Sequence, residues 1–346
     1  MSESDARILE IRDWLGSLGW SRDCRLEPAS ADASFRRYFR VWRADGATRV
    51  VMDAPPERED TAPYLKVTGL LAACDVHVPE VAAADTQRGL LLLEDLGSEH
   101  MLAALQRGAD PEQLYAAALA TLERIQLRGA AGAATLPPYD RAALLREMQL
   151  LPDWYCARHL ALTATSEDAA VLTDCFELLV RSALEQPVVL VHRDYHSRNL
   201  MLTPARSPGV IDFQDATAGP IGYDLVSLLK DCYVSWPRAR VEAWVESYRL
   251  RLRAAGAASA DSSAQFLRWF DLIGLQRHIK VLGIFARLCY RDGKSGYLAD
   301  LPRTLDYVLD TAARYPELRE FSDWTRRRLQ PGLGAANARA LAGRHA

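Results

Sequence analysis

The first hundred residues alternate between helix-like and strand-like hydrophobic patterns. Apolar residues between positions 5 and 18 recur at helical spacing, which predicts an opening amphipathic helix. The segments 35–42 and 48–52 are rich in β-branched and aromatic residues, and Asp45-Gly46 between them is a turn signal. A short apolar run at 90–93 predicts a buried strand. We therefore expect a small sheet with packed helices in this part of the chain.

Beyond Gly97 helical patterns dominate, and strand-like runs return only at 188–191 and 209–213. The pattern predicts an α+β protein with a small, β-rich N-terminal lobe over 1–97 and a larger, mostly helical lobe over 98–330. The last residues, 331–346, are expected to form a flexible tail. A crevice between two such lobes is a natural ligand site. Helices are predicted over 112–128, 141–160, 167–185, 221–235, 238–254, 264–290 and 300–313.

The amino-acid composition of the chain bears on its expected binding partners and location. The 346 residues carry a net charge of -3, which gives no broad basic field, so we expect no nucleic acid partner. The six cysteines are scattered without metal-ligand spacing, which predicts reduced and buried side chains. The charged first residues predict no signal peptide, and charges interrupt the apolar helical stretch 266–288, so no membrane span is expected. We expect a cytoplasmic protein and favour a monomer.

The most informative polar residues follow two apolar strands. The first strand leads to His192 and Asp194, with Asn199 five positions after that aspartate, and Asp212 ends the second strand. Phosphoryl transfer requires a carboxylate beside the acceptor hydroxyl and oxygen ligands for Mg²⁺ across the phosphates. The spacing therefore predicts an ATP- and Mg²⁺-dependent kinase, with Asp194 as the catalytic base and Asn199 and Asp212 as metal ligands.

Two further residues are expected to support this loop without reacting. His192 is predicted to fix the loop through hydrogen bonds to its backbone. Asp224 lies near the start of a predicted helix, where a carboxylate accepts hydrogen bonds from free backbone N–H groups.

The nucleotide side departs from the usual kinase pattern. The turn that covers the phosphates in kinases is often glycine-rich, but residues 30–40 contain no glycine. We expect Ser34, Arg36 and Arg37 to contact the phosphates. Glu94, Asp95 and Leu96 end a buried strand at the lobe junction, where backbone groups would hold an adenine ring.

The strand 50–53 also lacks the lysine with which kinases bind phosphate. An arginine from 36–40 replaces this lysine, or Lys66 does, or ATP is held more weakly. Our hypothesis is that Arg37 takes the role.

On these residues the chain resembles the aminoglycoside/choline phosphotransferase branch of the protein-kinase-like fold. The His-x-Asp-x-x-x-x-Asn loop is matched by His192, Asp194 and Asn199, and the second metal aspartate by Asp212. More narrowly, the chain resembles the anomeric N-acetylmuramate/N-acetylglucosamine 1-kinases of bacterial cell-wall recycling, a subfamily that shares the missing lysine. The matching stretches are 32–40, 50–57, 191–201, 209–216, 223–237 and 276–294.

The narrower resemblance implies transfer from ATP to the C1 hydroxyl of a free sugar, giving an α-1-phosphate that feeds peptidoglycan precursors. An anomeric hydroxyl is more acidic than an ordinary sugar hydroxyl, so a modest base suffices. On this basis Arg277, with His278 and Lys280 on the same helix, is expected to approach a lactyl carboxylate. The expected acceptor contacts are His196, Arg198, Gln214, Asp215 and Arg277.

Two alternatives stay open. The chain could be another kinase of the same fold, acting on an aminoglycoside, choline or homoserine. It could also be a non-catalytic, nucleotide-binding pseudokinase.

Overall fold

The computed structural model describes residues 3–31, 35–257 and 261–342. The chain divides into two units, of which the first comprises Met1–Ile125 and Arg198–Asp215, and the second comprises Gln126–Ser197 and Ala216–Ala346. The boundary predicted at residue 97 differs from this division. Backbone pairing explains the difference, because Leu202 N donates to Glu99 O at 2.7 Å and so ties the segment after residue 97 to the inserted segment of the same unit.

An antiparallel sheet forms the centre of the first unit. Its strands are β1 (Leu26–Ala31), β2 (Arg37–Trp42), β3 (Thr48–Asp53), β4 (Val81–Asp85) and β5 (Leu90–Glu94). Their order is β1-β2-β3-β5-β4. The predicted turn joins β2 to β3, since Gly46 has a φ of 84° and Ala47 N donates to Asp45 Oδ1 at 2.9 Å. Glycine accepts this left-handed conformation without steric cost.

One face of the sheet is covered by the predicted opening helix, α1 (Glu3–Ser17). Alternate residues of the strands point into this core, as expected for a sheet with a single buried face. The core includes Ile11, Trp14, Leu15, Phe39, Val41, Val51, Leu90 and Leu92. The helices that follow in the chain are α2 (Ala62–Ala73), α3 (Met101–Gln106) and α4 (Pro111–Arg128).

The inserted segment of the first unit is a short hairpin. Its strands are β7 (Leu200–Met201) and β8 (Gly209–Val210), which pair antiparallel. Val210 N donates to His77 O at 2.7 Å, so β8 is held against the segment before β4. This anchoring fixes the residues on either side of the hairpin, among them Asn199 and Asp212.

The second unit is mainly helical, with one two-stranded antiparallel sheet of β6 (Val188–Val191) and β9 (Thr217–Pro220). Its α-helices are α5 (Ala130–Ala133), α6 (Arg141–Met148), α7 (Ser166–Leu184), α8 (Gly222–Leu229), α9 (Arg238–Ala254), α10 (Ser263–Tyr290), α11 (Leu301–Ala312), α12 (Arg319–Trp324) and α13 (Leu333–Ala342). The described part of the unit also contains π-helical segments at Leu151–His159 and Thr325–Leu329 and 3₁₀ segments at Ser295–Asp300 and Pro316–Leu318. The segregation of sheet and helices confirms the predicted α+β class.

Two predicted elements differ from the structure. The single helix predicted over 141–160 is divided after α6, and Pro152, which has no N–H to donate, lies at the start of the π-helical segment. The segment predicted as a flexible tail contains α13, which buries Leu333 and Ala336 on one face. Alanine-rich sequence favours a helix where such a face can pack.

Helix α10 is the longest helix of the second unit and is buried along most of its length. It includes the apolar stretch 266–288, whose charged residues indicated that the stretch does not span a membrane. Across the described ranges, no helix is both long and apolar enough to cross a membrane.

Candidate active site

The two predicted metal ligands meet in the first unit. Asn199 precedes β7 and Asp212 follows β8, and Ile211 N donates to Asn199 O at 3.1 Å across the hairpin. The Asn199 side-chain amide donates to Asp212 Oδ2 at 3.3 Å. Asp212 has a φ of 63°, a left-handed conformation that is uncommon for a residue other than glycine. This backbone turn aims the carboxylate back at Asn199.

The donor set suits Mg²⁺ bound to phosphates. No group of three or more His, Cys, Asp and Glu side chains with metal-binding geometry occurs within residues 3–31, 35–257 and 261–342. Mg²⁺ is usually held by one or two protein oxygens, with phosphate and water filling the remaining positions. An amide oxygen and a carboxylate, as Asn199 and Asp212 provide, match that requirement.

The neighbouring arginines 36 and 37 have different partners. Arg36 is 10% exposed, and its Nη2 lies 3.9 Å from Asp212 Oδ1. Arg37 lies opposite Asp53 in the β2–β3 register and donates from Nε to Asp53 Oδ2 at 2.9 Å. Arg7 donates to the other oxygen of the same buried carboxylate at 2.7 Å. Arg36, and not Arg37, therefore faces the predicted metal site.

Two other residues, Ser34 and Lys66, were considered for contact with the phosphates. Ser34 lies outside the described residues. Lys66, the alternative to an arginine, is exposed on α2. The ring of Tyr64, on the same helix, packs against Phe213 with centroids 4.9 Å apart, which fixes α2 beside the residue that follows Asp212.

The residues at the end of β5 differ in which of their groups already have hydrogen-bond partners. Asp95 accepts two hydrogen bonds from Arg40, at 2.6 and 2.9 Å, and one from Gly97 N at 2.9 Å. Burial raises the pKa of Asp95, but the hydrogen bonds from Arg40, Thr48 and Gly97, with the charge of Arg40, together outweigh it and the pKa is lowered overall. Glu94 Oε1 lies 3.2 Å from His77 Nε2. By contrast, the backbone N–H and C=O of Leu96 bond to no other described residue.

In the second unit, Asp224 holds the loop that carries Asp194. Its two carboxylate oxygens accept hydrogen bonds from His192 N at 2.7 Å and Arg193 N at 3.0 Å. Burial raises the pKa of Asp224 to about 6, against the opposing effects of His192 and these hydrogen bonds. Arg193 has a φ of 78°, and His192 Nδ1 accepts from Asp194 N at 3.3 Å. These bonds fix a left-handed turn immediately before Asp194.

Basic side chains of the second unit act on the Asp194 carboxylate. Burial raises its pKa, but Lys280, then His196, Arg277 and His192, lower it, and the net pKa lies below the ordinary value. Asp194 is therefore an ionised carboxylate at neutral pH, able to accept a hydrogen bond from a hydroxyl.

The three basic residues predicted on α10 have distinct surroundings. Lys280 Nζ lies 3.0 Å from both Glu147 Oε1 and Tyr223 Oη. His278 Nε2 bonds to Lys230 O at 3.0 Å, and burial lowers the pKa of His278 to about 3, so this imidazole is neutral. Arg277 is buried, and its Nη1 lies 3.8 Å from Cys232 Sγ.

The expected acceptor contacts are divided between the two units. His196 and Arg277 lie in the second unit with Asp194, and Nδ1 of His196 is buried without a hydrogen-bond partner among the described residues. Arg198, Gln214 and Asp215 belong to the first unit. Arg198 and Asp215 are exposed, whereas Gln214 donates to Asp212 Oδ1 at 2.9 Å.

Sequence reasoning missed the buried network behind the loop. Glu147 on α6 accepts hydrogen bonds from Tyr139 and Arg193 as well as from Lys280. The sequence contained one indication of this network: Arg277 and Lys280 are three residues apart and so share a helix face. The acidic partner, more than a hundred residues away in the sequence, carried no such signal.

Comparison of the sequence with known proteins shows similarity to phosphotransferases. The model of the family described as "Phosphotransferase enzyme family" matches residues 25–262. A protein of Pseudomonas aeruginosa named N-acetylmuramate/N-acetylglucosamine kinase is 49% identical over 329 residues, which cover 92% of this chain and 96% of the relative. A protein of the same name from Neisseria meningitidis is 44% identical over 313 residues, which cover 90% and 93%.

Solved structures show the same fold at low sequence identity. A choline/ethanolamine kinase family protein of Mesorhizobium loti superposes with a TM-score of 0.60 at 14% identity, covering 95% of this chain and 98% of the other. The ADP-bound aminoglycoside phosphotransferase APH(2'')-Ib gives a TM-score of 0.55 at 16% identity, covering 87% and 98%. The expected kinase-like fold is confirmed.

Proposed function

We propose, since the chain belongs to the phosphotransferase enzyme family, that it transfers the γ-phosphoryl group of ATP to the C1 hydroxyl of N-acetylmuramate or N-acetylglucosamine. The observation that carries the proposal is the ionised Asp194 carboxylate on a loop held by Asp224. The choice of acceptor is supported by the names of relatives that are 44% and 49% identical over most of the chain.

In the proposed reaction, the acceptor oxygen bonds to the γ-phosphorus, the bond to the bridging oxygen breaks, and ADP leaves. Asp194 orients the hydroxyl and accepts its proton. Asn199 and Asp212 would hold Mg²⁺, which when bound neutralises charge on the phosphate oxygens. The buried Nδ1 of His196 is available for a sugar hydroxyl.

The nucleotide contacts follow from the first unit. The unpaired backbone groups of Leu96 suit the edge of an adenine ring, while the side chains of Glu94 and Asp95 have partners within the unit. We assign the phosphate contact to Arg36 because its guanidinium already lies beside the Asp212 carboxylate. Arg37 is assigned to the Asp53 pair, which revises our hypothesis that Arg37 replaces the missing lysine.

The cationic surroundings of Asp194 favour a neutral or anionic acceptor. Lys280 and Arg277 both lower the pKa of Asp194 and would repel an aminoglycoside or choline. These two basic groups therefore disfavour the rival activities on cationic acceptors. The complete Asp194, Asn199 and Asp212 set disfavours a pseudokinase.

The test is a coupled assay of ADP release with a panel of acceptors. The two free sugars should stimulate ADP release, whereas their C1 methyl glycosides, choline, homoserine and an aminoglycoside should not. Asp194→Asn should lower turnover by roughly 10²- to 10⁴-fold. Equal rates with the free sugars and their methyl glycosides would exclude C1 as the acceptor, and stimulation by the amino alcohols alone would support the rival kinases.

A further inference from the structure

Among the described residues of the second unit, four lysine or arginine residues are buried, and one of them differs from the rest. Three are paired with a carboxylate: Lys230 with Asp271, Arg249 with Glu246, and Lys280 with Glu147. The fourth, Arg277, is 5% exposed, and within the described part of the chain its guanidinium has no carboxylate within 4.0 Å. Its hydrogen bond there is the long contact to Cys232 Sγ at 3.8 Å.

A buried guanidinium with so few acceptors is costly to maintain. Arg has five N–H donors in a planar fork, and a buried charge is normally satisfied by an anion or by several hydrogen bonds. Burial lowers the pKa of Arg277, but Cys232, Tyr223 and Asp194 raise it, and the net pKa lies above its ordinary value. Arg277 is therefore charged, and most of its N–H donors have no hydrogen-bond acceptor among the described residues.

We propose that Arg277 binds the carboxylate of an acidic acceptor and so sets the preference for N-acetylmuramate over N-acetylglucosamine. This inference rests on the proposed function. The two sugars differ by the lactyl group of N-acetylmuramate, which carries a carboxylate that N-acetylglucosamine lacks. The planar fork of an arginine matches a carboxylate with two parallel hydrogen bonds, which an ammonium group cannot reproduce.

The location of Arg277 favours the acceptor over the nucleotide. Arg277 lies in the second unit, and its Nη1 lies 3.8 Å from Sγ of Cys232. The residue before Cys232, Asp231, accepts a hydrogen bond at 3.0 Å from the backbone N of Ser197, on the loop that carries Asp194. Arg277 also lowers the pKa of Asp194, the residue assigned to the acceptor hydroxyl. The residues assigned to the phosphates, Arg36, Asn199 and Asp212, belong to the first unit. The other two basic residues predicted on α10 are less suited to bind a carboxylate. Lys280 is already bonded to Glu147 and Tyr223, and His278 is neutral.

Two other roles are open to Arg277, and both predict a different result. If Arg277 bound the transferred phosphoryl group, or only tuned Asp194, its loss would affect both sugars by the same factor. The decisive quantity is therefore the ratio of kcat/KM for N-acetylmuramate to kcat/KM for N-acetylglucosamine, in which effects common to both sugars cancel.

The experiment measures this ratio for the full-length wild type, Arg277→Ala and Arg277→Lys. Loss of a charged hydrogen-bonded pair predicts a fall of roughly 10- to 100-fold in the ratio for Arg277→Ala. Arg277→Lys should restore part of the ratio, because the charge remains and the fork is lost. The matched control is Arg287→Ala, at a partly buried position further along the same helix, which should leave the ratio unchanged.

A second measurement removes the same interaction from the side of the sugar. The methyl ester of the lactyl carboxylate, with C1 free, should lower the wild-type kcat/KM and have little further effect in Arg277→Ala, because both changes remove the same interaction. An unchanged ratio in Arg277→Ala, or independent effects of ester and variant, would overturn the inference while leaving the kinase activity established. Failure of the wild type to use either sugar would instead overturn the proposed function.

Discussion

Arg36 Nη2 lies 3.9 Å from Asp212 Oδ1, at the end of a segment where kinases usually place a glycine-rich turn. The chain has no lysine on β3, and the residue at the end of that strand, Asp53, is a buried carboxylate shared by Arg7 and Arg37. The guanidinium that lies beside Asp212 thus comes from the residue immediately before β2. An arginine at this position supplies a charge and a planar fork for phosphate oxygens.

The first prediction separates the two adjacent arginines. Arg36→Ala should raise the KM for ATP and lower kcat, with a fall in kcat/KM of roughly 10- to 100-fold, because a charged hydrogen bond to phosphate is lost. Arg37→Ala should act mainly on folding, lowering the free energy of unfolding by roughly 1–3 kcal/mol, since Asp53 loses one of the two arginines, Arg7 and Arg37, that pair with it. Steady-state kinetics with varied ATP and urea unfolding measure the two effects.

Each arginine variant is the control for the other, because the substitutions are chemically identical and adjacent in sequence. A larger effect of Arg37→Ala than of Arg36→Ala on the KM for ATP would reinstate the hypothesis that Arg37 replaces the lysine. It would also require the Arg37–Asp53 pair to open when the nucleotide binds.

The second prediction concerns the pH dependence of catalysis. Lys280 is the charged group that most lowers the pKa of Asp194, so its removal raises the pKa of that carboxylate. A general base acts in its deprotonated form, and activity therefore rises as the pH passes upward through its pKa. In Lys280→Met, the acidic limb of the kcat/KM profile should move to higher pH, with the largest loss of activity in acid.

The matched control is Lys294→Met, which removes a partly buried lysine that lies just beyond the end of α10. Its acidic limb should coincide with that of the wild type. Because Glu147 keeps Tyr139 and Arg193 as partners, Lys280→Met should remain folded. A profile that is lowered uniformly, without a shift along the pH axis, would show that Lys280 acts on the loop structure and not on the charge of Asp194.

The sequence was a good guide wherever a signal was local. The β-branched and aromatic residues of 35–42 and 48–52 predicted β2 and β3, and the Asp45-Gly46 pair predicted the turn between them. Order and spacing also predicted that Asn199 and Asp212 belong together, because each adjoins one strand of the same short hairpin.

Contacts between distant residues could not be predicted in this way. Period-two alternation separates the faces of β2, but Arg36 lies outside that strand, so its approach to Asp212 depends on the turn before β2. Similarly, no local pattern joins Glu147 to Lys280 or Arg193. The tail prediction was wrong for 333–342 because composition alone does not show that Leu333 and Ala336 find a surface to pack against.

The third prediction concerns the packing of the helix that carries Arg277 and Lys280. A Cβ atom at Gly283 of α10 would lie 2.4 Å from the backbone C and O atoms of Leu150, a distance at which the backbone must shift. Gly283→Ala should therefore lower the free energy of unfolding by roughly 1–3 kcal/mol, as overpacking of a close contact does. It should also lower kcat/KM for both sugars, because α10 positions two cations that act on Asp194. Urea unfolding and steady-state kinetics measure these effects. Gly334→Ala in α13 is the control: apart from its own helix backbone and chain neighbours, no described residue comes within 4 Å of a Cβ there, so stability should be kept or slightly raised. If Gly283→Ala were as stable and active as Gly334→Ala, α10 would not be held in register by its contact with Leu150.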